Sequence, residues 1–516
     1  MLQSTKKKWV QVLAVSLTLS MVLFGFTACG GSSKSDTSKT RDDLVFATAN
    51  EPNSLDPMAI ANMSTFTITY AIYDNLVEEN SDGEYVPSLA KKVDISKDGL
   101  TYTFTLNKGV KFHDGSEMTA DDVVFSINRT IKKGWAFDMT AFIKSVKKVD
   151  DYTVKMTLNR PFDGMLGSLA SPFFSIMSKS YLQKNGDTSV ERKPMGTGAY
   201  KFVSWKSGDN ITLEANEDYF KGAPSIKKVV FKPITDKDTG LVALQNGEID
   251  AFLNINNSDI QTVKDDSNLA FYSTNQTAVL SLIMNTEVKP LNNEKVRQAI
   301  NYAINKDDII QGALEGVGTA ANSAIAPTCS GYSKDVTGYS FSTDKAKALL
   351  KEAGYKSINL KIKLKEDSKN QKVAQIIQSN LKQVGINVEI ETMEAGAYSN
   401  DVYVNGNYDM TITSWFAMFP DAYSLLYSQF HKDCYGSTGN ITHVRDNTLS
   451  ADLDAAAEAS GDAKIAAYNK VAQYLNDHAY VAPLVYENTT ITTNAKLKGV
   501  EANPLGVYKV KNFSWK

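Results

Sequence analysis

The chain has 516 residues, of which 42% are hydrophobic and 22% are charged, as is typical of soluble globular proteins. This length is too great for one hydrophobic core, so at least two lobes are expected. The formal net charge is −3, which disfavours nucleic acid as a partner because phosphate binding requires a basic surface.

The chain begins with a pattern typical of a secretory signal. Lys6, Lys7 and Lys8 precede an uncharged stretch from Trp9 to Ala28, which ends in small residues. A basic start, an apolar stretch and a small-residue exit mark such signals. An uncleaved membrane anchor is an alternative interpretation. No second long apolar segment follows, so the chain is not itself a permease.

Residues 26–30, with the sequence FTACG, resemble the lipobox of bacterial lipoproteins, with Phe26 where leucine is usual. The resemblance implies that residues 1–28 are a removed signal peptide and that Cys29 becomes a lipidated N-terminus. A cleaved signal followed by an ordinary cysteine is the alternative. Residues 29–41 are rich in Gly and Ser, which predicts a flexible linker to an outward-facing globular part.

The N-terminal half of the globular part is rich in predicted strands. Residues 43–47 and 100–106 read as strands, and residues 66–76 have apolar positions at helical spacing. Thr119 is expected to cap a helix. Residues 146–149 and 152–158 should form a hairpin. Further strands are expected at 211–215 and 227–232, and a helix at 238–246.

The C-terminal half has an α/β pattern. Asn292 or Asn293 is expected to cap one helix, and Thr343 is expected to cap the next. The residues from 358 to 390 read as a strand, a helix ending at Gly385 and a second strand. Short links between these elements predict a right-handed βαβ unit.

Motifs of common enzyme classes are missing from the sequence. The P-loop, His-Glu-x-x-His and Gly-x-Ser-x-Gly patterns do not occur. His431, Cys434 and His443 are close in sequence, but their spacing matches no usual metal-ligand set. Cys329 and Cys434 could form a disulfide or remain two buried thiols. We therefore expect no cofactor, no metal and no catalytic residue.

One segment and several shorter blocks carry a family resemblance. Residues 86–126 read VPSLAKKVDISKDGLTYTFTLNKGVKFHDGSEMTADDVVFS. The blocks SLDP (54–57), IYDNLV (72–77), GTGAY (196–200), NEDYFKGAP (216–224), GEID (247–250), NT (285–286), VRQAINYAI (296–304) and PLVY (483–486) follow in order around it. Together they resemble the extracellular solute-binding proteins of oligopeptide and dipeptide ABC importers. In that family this segment is scaffold, which implies a structural role for His113.

The resemblance implies an α/β, two-lobed periplasmic-binding-protein-like fold (type II, cluster C) with an extra subdomain and a two-strand hinge. Lobe I would comprise residues 42–73, 195–283 and 490–516, the extra subdomain 74–194, and lobe III 284–489. The two crossings between the lobes would lie near Asn285 and near Leu484 to Tyr486. Closure about this hinge would bury the ligand.

The resemblance also implies which residues bind the ligand. They are Asn62, Met63, Ser414, Trp415, Phe416 and Asp421. Trp415 matches the family's pocket tryptophan. Met418 stands where peptide binders commonly carry an aspartate for the ligand's amino group, and Asp421 is a nearby substitute. Ile412 stands where tripeptide binders hold an arginine for the ligand carboxylate, so ligand identity is open.

The implied function is a membrane-anchored receptor that captures peptide-like solutes and delivers them to an ABC permease. A separate subunit would supply ATP hydrolysis, consistent with the missing P-loop, and the receptor is expected to be a monomer. The same receptor role for a non-peptide solute such as an oligosaccharide is the first alternative. An extracellular hydrolase is the second.

Overall fold

The computed structural model describes residues 41–58, 63–436 and 439–516, with Met63 described in its backbone alone. The strands are β1 Asp43–Thr48, β2 Val77–Glu79, β3 Tyr85–Pro87, β4 Ala90–Ile95, β5 Thr101–Leu106, β6 Ile143–Asp150, β7 Thr153–Leu158, β8 Tyr200–Lys206, β9 Asn210–Ala215, β10 Lys228–Pro233, β11 Ala251–Leu253, β12 Leu269–Asn275, β13 Ala278–Met284, β14 Thr319–Ala320, β15 Ile358–Lys365, β16 Ile386–Met393, β17 Met410–Phe416, β18 Val481–Tyr486, β19 Asn488–Asn494, β20 Leu497–Lys498 and β21 Ser514–Trp515.

The helices are α1 Met63–Ile72, α2 Ala120–Lys133, α3 Phe137–Thr140, α4 Met165–Ala170, α5 Lys179–Asn185, α6 Lys237–Gln245, α7 Ile260–Asp265, α8 Glu294–Ala303, α9 Lys306–Ala313, α10 Thr343–Glu352, α11 Ser368–Lys382, α12 Ala395–Ser399, α13 Ala422–Phe430, α14 Asn447–Glu458 and α15 Gly461–Asp477. Short 3₁₀ segments lie at Pro172–Phe174, Ser189–Glu191, Asn257–Asp259, Lys432–Cys434 and Val510–Asn512, and a π segment lies at Asn400–Val404.

Two large sheets organise the fold. The first has seven strands in the order β12-β19-β11-β1-β10-β9-β8, and the second has six in the order β14-β18-β13-β17-β15-β16. In the first sheet β19, from near the C-terminus, pairs with both β11 and β12. In the second sheet β15 and β16 are parallel and are joined by α11, which confirms the predicted βαβ unit.

The chain passes between the two sheets twice, at neighbouring points. The first crossing lies at Gln276 and Thr277, between β12 and β13, and the second at Glu487, between β18 and β19. The Gln276 amide donates to the Glu487 carbonyl at 2.9 Å, so the crossings are hydrogen-bonded to each other. The expected crossing near Asn285 is wrong, because β13 is buried along its whole length in the second sheet and Asn285 follows its far end.

The segment between α1 and β8 contains a four-stranded antiparallel sheet in the order β4-β5-β7-β6, including the predicted hairpin β6–β7. Arg129 on α2 forms a buried ion pair with Asp56, at 2.7 Å, which fixes this segment to the first lobe. Phe162 stacks edge-on against Tyr423 on α13, with ring centroids 4.6 Å apart. The segment thus contacts both lobes.

Helix starts follow local sequence signals closely. Thr119 precedes α2, and its amide donates to the Asp122 carboxylate at 2.9 Å. Asn293 caps α8, so both predictions are confirmed. Thr343 is the first helical residue of α10 rather than its cap, because the Ser342 hydroxyl accepts from the Lys345 amide and takes that role.

Across the described ranges, every helix is too short or too polar to span a membrane. The predicted signal peptide, Cys29 and nearly all of the predicted linker lie outside the described residues.

Candidate functional site

Strand β17 carries Trp415 and Phe416 to the end of the second sheet that lies beside the crossings. Trp415 pairs with Val279, and Phe416 pairs with Ala278 at the start of β13. Because successive side chains of a strand point to opposite faces, the two rings diverge. Trp415 is half-buried against the largest apolar core, whereas Phe416 is 37% exposed. A half-buried indole offers a rigid contact surface with a polar N–H.

Ser414 is tied to the second crossing. Its hydroxyl donates to one carboxylate oxygen of Glu487 at 2.5 Å, and the Lys369 ammonium donates to the other at 2.7 Å. Lys369 lies in the first turn of α11. Ser414 therefore holds the hinge residue Glu487 in place, in addition to the ligand contact that the family resemblance implies.

Met418 and Ile412 occupy different environments. Ile412 is 2% exposed and packs in the apolar core on the helix-covered face of the second sheet. Met418 is partly buried at the edge of the other core, and its amide donates to the Ser424 hydroxyl at 2.7 Å. A charged side chain at position 412 would thus require a different packing of that core.

Asp421 is fully engaged within the protein. Its carboxylate accepts from the Lys464 ammonium at 2.5 Å, the Ser330 hydroxyl at 2.9 Å and the Tyr423 amide at 2.8 Å. Lys464 also pairs with Asp163 at 2.8 Å. Burial raises the pKa of Asp421, and Lys464 opposes that shift. Asp421 is thus already paired with Lys464 inside the protein, and its role as a substitute for a ligand-binding aspartate stays a prediction.

Two adjoining cavities lie between the lobes. The larger has a volume of about 1050 Å³. It is lined by Thr328, Asp421 and Lys464 on one side and by residues 499, 501–504, 507–509 and 511–513 on the other. The smaller, of about 40 Å³, is lined by Glu79 and Met418, among others. Both share Glu79 in their walls, so they meet at the β2–β3 hairpin.

The other predicted site residues are distributed as follows. Asn62 lies outside the described residues, and Met63 begins α1. Ser414, Trp415 and Phe416 line neither of the two cavities. Met418 lines the smaller cavity and Asp421 the larger. Glu79 and the cavity that it lines were missed, although an acidic pair directly after the buried Val77 was a visible signal.

His113 has a structural environment. One ring nitrogen lies 3.0 Å from the Gly198 carbonyl oxygen, and burial lowers the pKa of His113 to about 4. His431 stacks on Tyr427 with ring centroids 4.4 Å apart. Among the described residues, no group of three His, Cys, Asp or Glu side chains is placed to hold a metal ion. Cys329 and Cys434 are both described, and no disulfide joins them.

Two lobes joined by two adjacent crossings, with cavities between them, define a two-lobed binding protein of the periplasmic type II class. The model of the family described as "Bacterial extracellular solute-binding proteins, family 5 Middle" matches residues 84–437. The chain belongs to this family. Its role is accordingly to bind a solute outside the cell rather than to convert it, which confirms the prediction of a non-enzymatic protein.

Three known proteins illustrate the range of the similarity. The dipeptide-binding protein of Escherichia coli K12 is 31% identical, over 91% of this chain and 94% of its own length. The structure of DppA from Helicobacter pylori in complex with the peptide STSA has a TM-score of 0.84 and 31% identity, over 92% of this chain and 98% of that one. Heme-binding protein A of Haemophilus influenzae is 34% identical, over 66% of this chain and 69% of its own length.

Proposed function

We propose that this protein is the membrane-anchored, substrate-binding subunit of an ABC importer that captures peptide-like solutes by closure of two lobes. The observation that carries the proposal is the cleft of about 1050 Å³, whose walls come from both lobes. This volume is near the upper end of the range that ligand-binding sites usually have. A solute that contacts both walls favours the closed form over the open one.

The hinge of this closure is the pair of crossings at Gln276–Thr277 and Glu487. A backbone hydrogen bond joins the crossings, and Ser414 and Lys369 both hold the Glu487 side chain. The lobes on either side keep the extents inferred from sequence, except that β13 moves from lobe I to lobe III and residues 488–489, at the start of β19, move from lobe III to lobe I. Rotation confined to a few residues leaves both sheets intact, as in other hinged proteins.

A peptide is the solute class that the relatives favour. The names of the E. coli and H. pylori proteins refer to peptides. The name of heme-binding protein A refers to heme, so a non-peptide solute is the alternative. Met418 and Ile412 give this chain a neutral side chain at two positions where the family resemblance implies charges. The proposed ligand contacts are Ser414, Trp415, Phe416, Asn62 and Met63, which the family resemblance implies, in addition to the residues that line the cleft.

Delivery and anchoring complete the proposal. The closed form would dock on a permease, with a separate ATPase subunit and without nucleic acid. Cys29 would carry the lipid, and residues 29–41 would act as a flexible tether for a monomeric receptor. Cys29→Ser should release the protein from the membrane fraction into the soluble fraction, whereas retention in the membrane would contradict lipid anchoring.

Calorimetric titration of the protein lacking residues 1–29 against a panel of di- to nonapeptides, including Ser-Thr-Ser-Ala, tests the ligand class. Binding should be accompanied by a smaller radius of gyration in solution scattering, because the lobes close. Trp415→Ala should weaken binding roughly 10-fold or more, since a buried aromatic contact is lost. Binding of oligosaccharides and of no peptide would overturn the peptide assignment, and turnover of the ligand would overturn the receptor role.

A further inference from the structure

Large apolar side chains are exposed together at one end of the extra segment. Ile131, in the last turn of α2, is 38% exposed, and Trp135 and Phe137 are 55% and 41% exposed. Gly134, with a φ of 76°, ends α2 and turns the chain between them. Elsewhere in the described part of the chain, no stretch of this length exposes more than one large apolar side chain. Apolar side chains grouped on a protein surface mark an interaction site.

Exposed lysines accompany these apolar side chains. Lys132 lies in the last turn of α2 and Lys144 is the second residue of β6, and neither forms an ion pair with a described residue. Lys133 differs, because it pairs with Asp187 at 3.0 Å. Asp138 is the one carboxylate in the sequence from 131 to 144. This surface is therefore basic as well as apolar.

Packing of α2 along β6 brings the two lysines to the same end of the segment. The Ala120 amide donates to the Asp151 carbonyl at 2.8 Å, and Lys148 pairs with Asp121 at 2.6 Å. The start of α2 thus lies at the end of β6, and the helix runs antiparallel to the strand. The two elements have similar lengths, about 21 and 26 Å. The last turn of α2 therefore lies near the start of β6, where Lys144 is.

We infer that this aromatic–basic patch, formed by Ile131, Lys132, Trp135, Phe137 and Lys144, docks on an anionic lipid surface. The membrane that carries the proposed anchor provides that surface, so the inference rests on the proposed function. Tryptophan and phenylalanine rings insert at the boundary between headgroups and acyl chains. Lysines beside them attract anionic headgroups. Neither ring lines the cavities between the lobes, so solute binding does not depend on the patch.

The length of the proposed tether favours a membrane over other partners. Residues 29–41 span at most about 45 Å when fully extended, whereas a globular body the size of residues 42–516 has a radius of gyration of about 23 Å. The body thus stays within about one diameter of the bilayer, and this high local concentration of lipid strengthens a weak contact. At about 150 mM salt the contact alone should not retain the Cys29→Ser protein, because ions screen it.

Co-sedimentation with vesicles tests the docking on the protein that lacks residues 1–29, since residues 42–516 form one compact unit. At low salt it should bind vesicles of phosphatidylglycerol and phosphatidylcholine. Vesicles of phosphatidylcholine alone should bind at least 10-fold more weakly, because each lysine contributes a factor of about five. Trp135→Ser should weaken binding to the anionic vesicles roughly 10-fold. Lys132→Gln combined with Lys144→Gln should weaken it roughly 25-fold.

Val242→Ser and Lys382→Gln are the matched controls. Val242 is 54% exposed on α6, and Lys382 is exposed in the last turn of α11 without an ion pair to a described residue. Both variants should bind anionic vesicles as the parent does. Parent-like binding by the patch variants, equal binding to both kinds of vesicle, or no binding would each overturn the inference.

Fluorescence of Trp135 tests the same docking in the lipidated protein. In anionic vesicles with brominated acyl chains the emission should fall, because a ring at the headgroup boundary lies near the acyl chains. Trp135→Phe should remove most of that fall, and an equal fall in this variant would refute the docking. A second copy of the chain is the alternative partner. A parent protein that dimerises in sedimentation equilibrium, with a monomeric Trp135→Ser, would assign the patch to that contact and overturn the inference.

Peptide titration separates this inference from the proposed function. Trp135→Ser should bind peptides as the parent does, because Trp135 lines neither cavity. If peptides bind and anionic vesicles do not, the membrane docking fails alone. If vesicles bind through the patch and no peptide binds, the docking stands and the peptide assignment fails. If neither binds, both fail.

Discussion

Asp138 carries a half-buried carboxylate with no neutralising cation beside it among the described residues. Its carboxylate accepts from the Met139 amide, at 3.0 Å, and from its own amide, and it lies near Tyr423 and Cys434 of the other lobe. Burial raises the pKa of Asp138 from 3.8 to about 6. The folded chain therefore binds more protons than the unfolded chain between about pH 4 and 6, so this group reduces stability as pH rises through that window.

Asp138→Asn should remove this pH dependence and raise the unfolding free energy at pH 7 by at most about 3 kcal/mol, the value of the full shift. Urea denaturation at about pH 4.5 and 7.5 measures the free energy of unfolding, which falls linearly with urea concentration and is extrapolated to water. The exposed Asp335→Asn serves as control. Equal pH dependence in the parent protein and Asp138→Asn would contradict the assignment.

Lys464 on α15 stabilises the loop around Asp421, so its replacement should lower the free energy of unfolding. Lys464→Met would leave Asp421, which is 4% exposed, without its cation, and should lower the unfolding free energy by about 3–5 kcal/mol. Adding Asp421→Asn should recover part of the loss, because no uncompensated charge remains. A double-mutant cycle by chemical denaturation checks this coupling. Additive losses would show that the pair is not coupled.

Sequence reasoning assigned Asp421 a ligand role because its pairing with Lys464 could not be foreseen. Its partner Lys464 lies 43 residues away on α15, and no local pattern connects the two. Met418 and Ile412 were singled out as departures from the family pattern, and this interpretation stays a prediction. The acidic pair Glu78 and Glu79 was visible in the sequence, but whether each carboxylate is paired depends on residues such as Lys511 that approach only in the folded chain.

At the scale of elements, the sequence predicted the helices and strands whose apolar residues recur with a clear period. The alternation in β5 and the apolar stripe of α11 located both correctly. Strand β13 reads AVLSLIM and is buried on both faces, contributing to two apolar cores. A continuously apolar strand carries no alternation that assigns it to one sheet. The first crossing was therefore placed at the wrong end of this strand.

Helix α4 packs on the segment that follows β17, and Gly167 makes that contact possible. A Cβ atom there would lie 2.6 Å from a Phe419 ring carbon and 2.8 Å from the Tyr85 hydroxyl oxygen. Gly167→Ala should therefore oppose closure and weaken solute binding by roughly 5- to 150-fold, as overpacking costs about 1–3 kcal/mol.

Calorimetry measures the affinity of Gly167→Ala, and solution scattering measures how far its lobes close. Gly312→Ala is a suitable control, because its Cβ would meet only the terminal carbon of the Ile376 side chain within 3 Å. Wild-type affinity in Gly167→Ala would show that α4 and Phe419 separate in the solute-bound form.

At the scale of the whole molecule, the extra segment contacts the C-terminal helices α14 and α15. Arg160 pairs with Asp454 on α14 at 2.6 Å, and Asp163 pairs with Lys464 on α15 at 2.8 Å. The Asp163 amide also donates to the Ala457 carbonyl at 3.3 Å. The chain length and the family blocks predicted two lobes and a hinge. These contacts could not be predicted, because they depend on the relative position of the lobes and not on a local sequence pattern.

The Arg160–Asp454 pair should make solute affinity sensitive to salt. Its side chains are 32% and 38% exposed, so ions in solution screen the attraction that favours the closed form. Raising NaCl from about 50 to 500 mM, which shortens the screening length severalfold, should weaken binding roughly two- to fivefold, equivalent to one surface ion pair. Arg160→Gln should weaken binding by a similar factor at low salt and reduce the salt dependence.

Lys295→Gln distinguishes closure from a general effect of surface charge. Lys295 pairs with Glu352 at 2.9 Å, and both residues lie on helices of the same lobe, so the pair is unchanged by hinge motion. Calorimetry at both salt concentrations should show the parent's salt dependence in Lys295→Gln and a smaller one in Arg160→Gln. Solution scattering without solute should show a larger radius of gyration in Arg160→Gln alone. Identical behaviour of the two variants would mean that the Arg160–Asp454 contact does not stabilise the closed form.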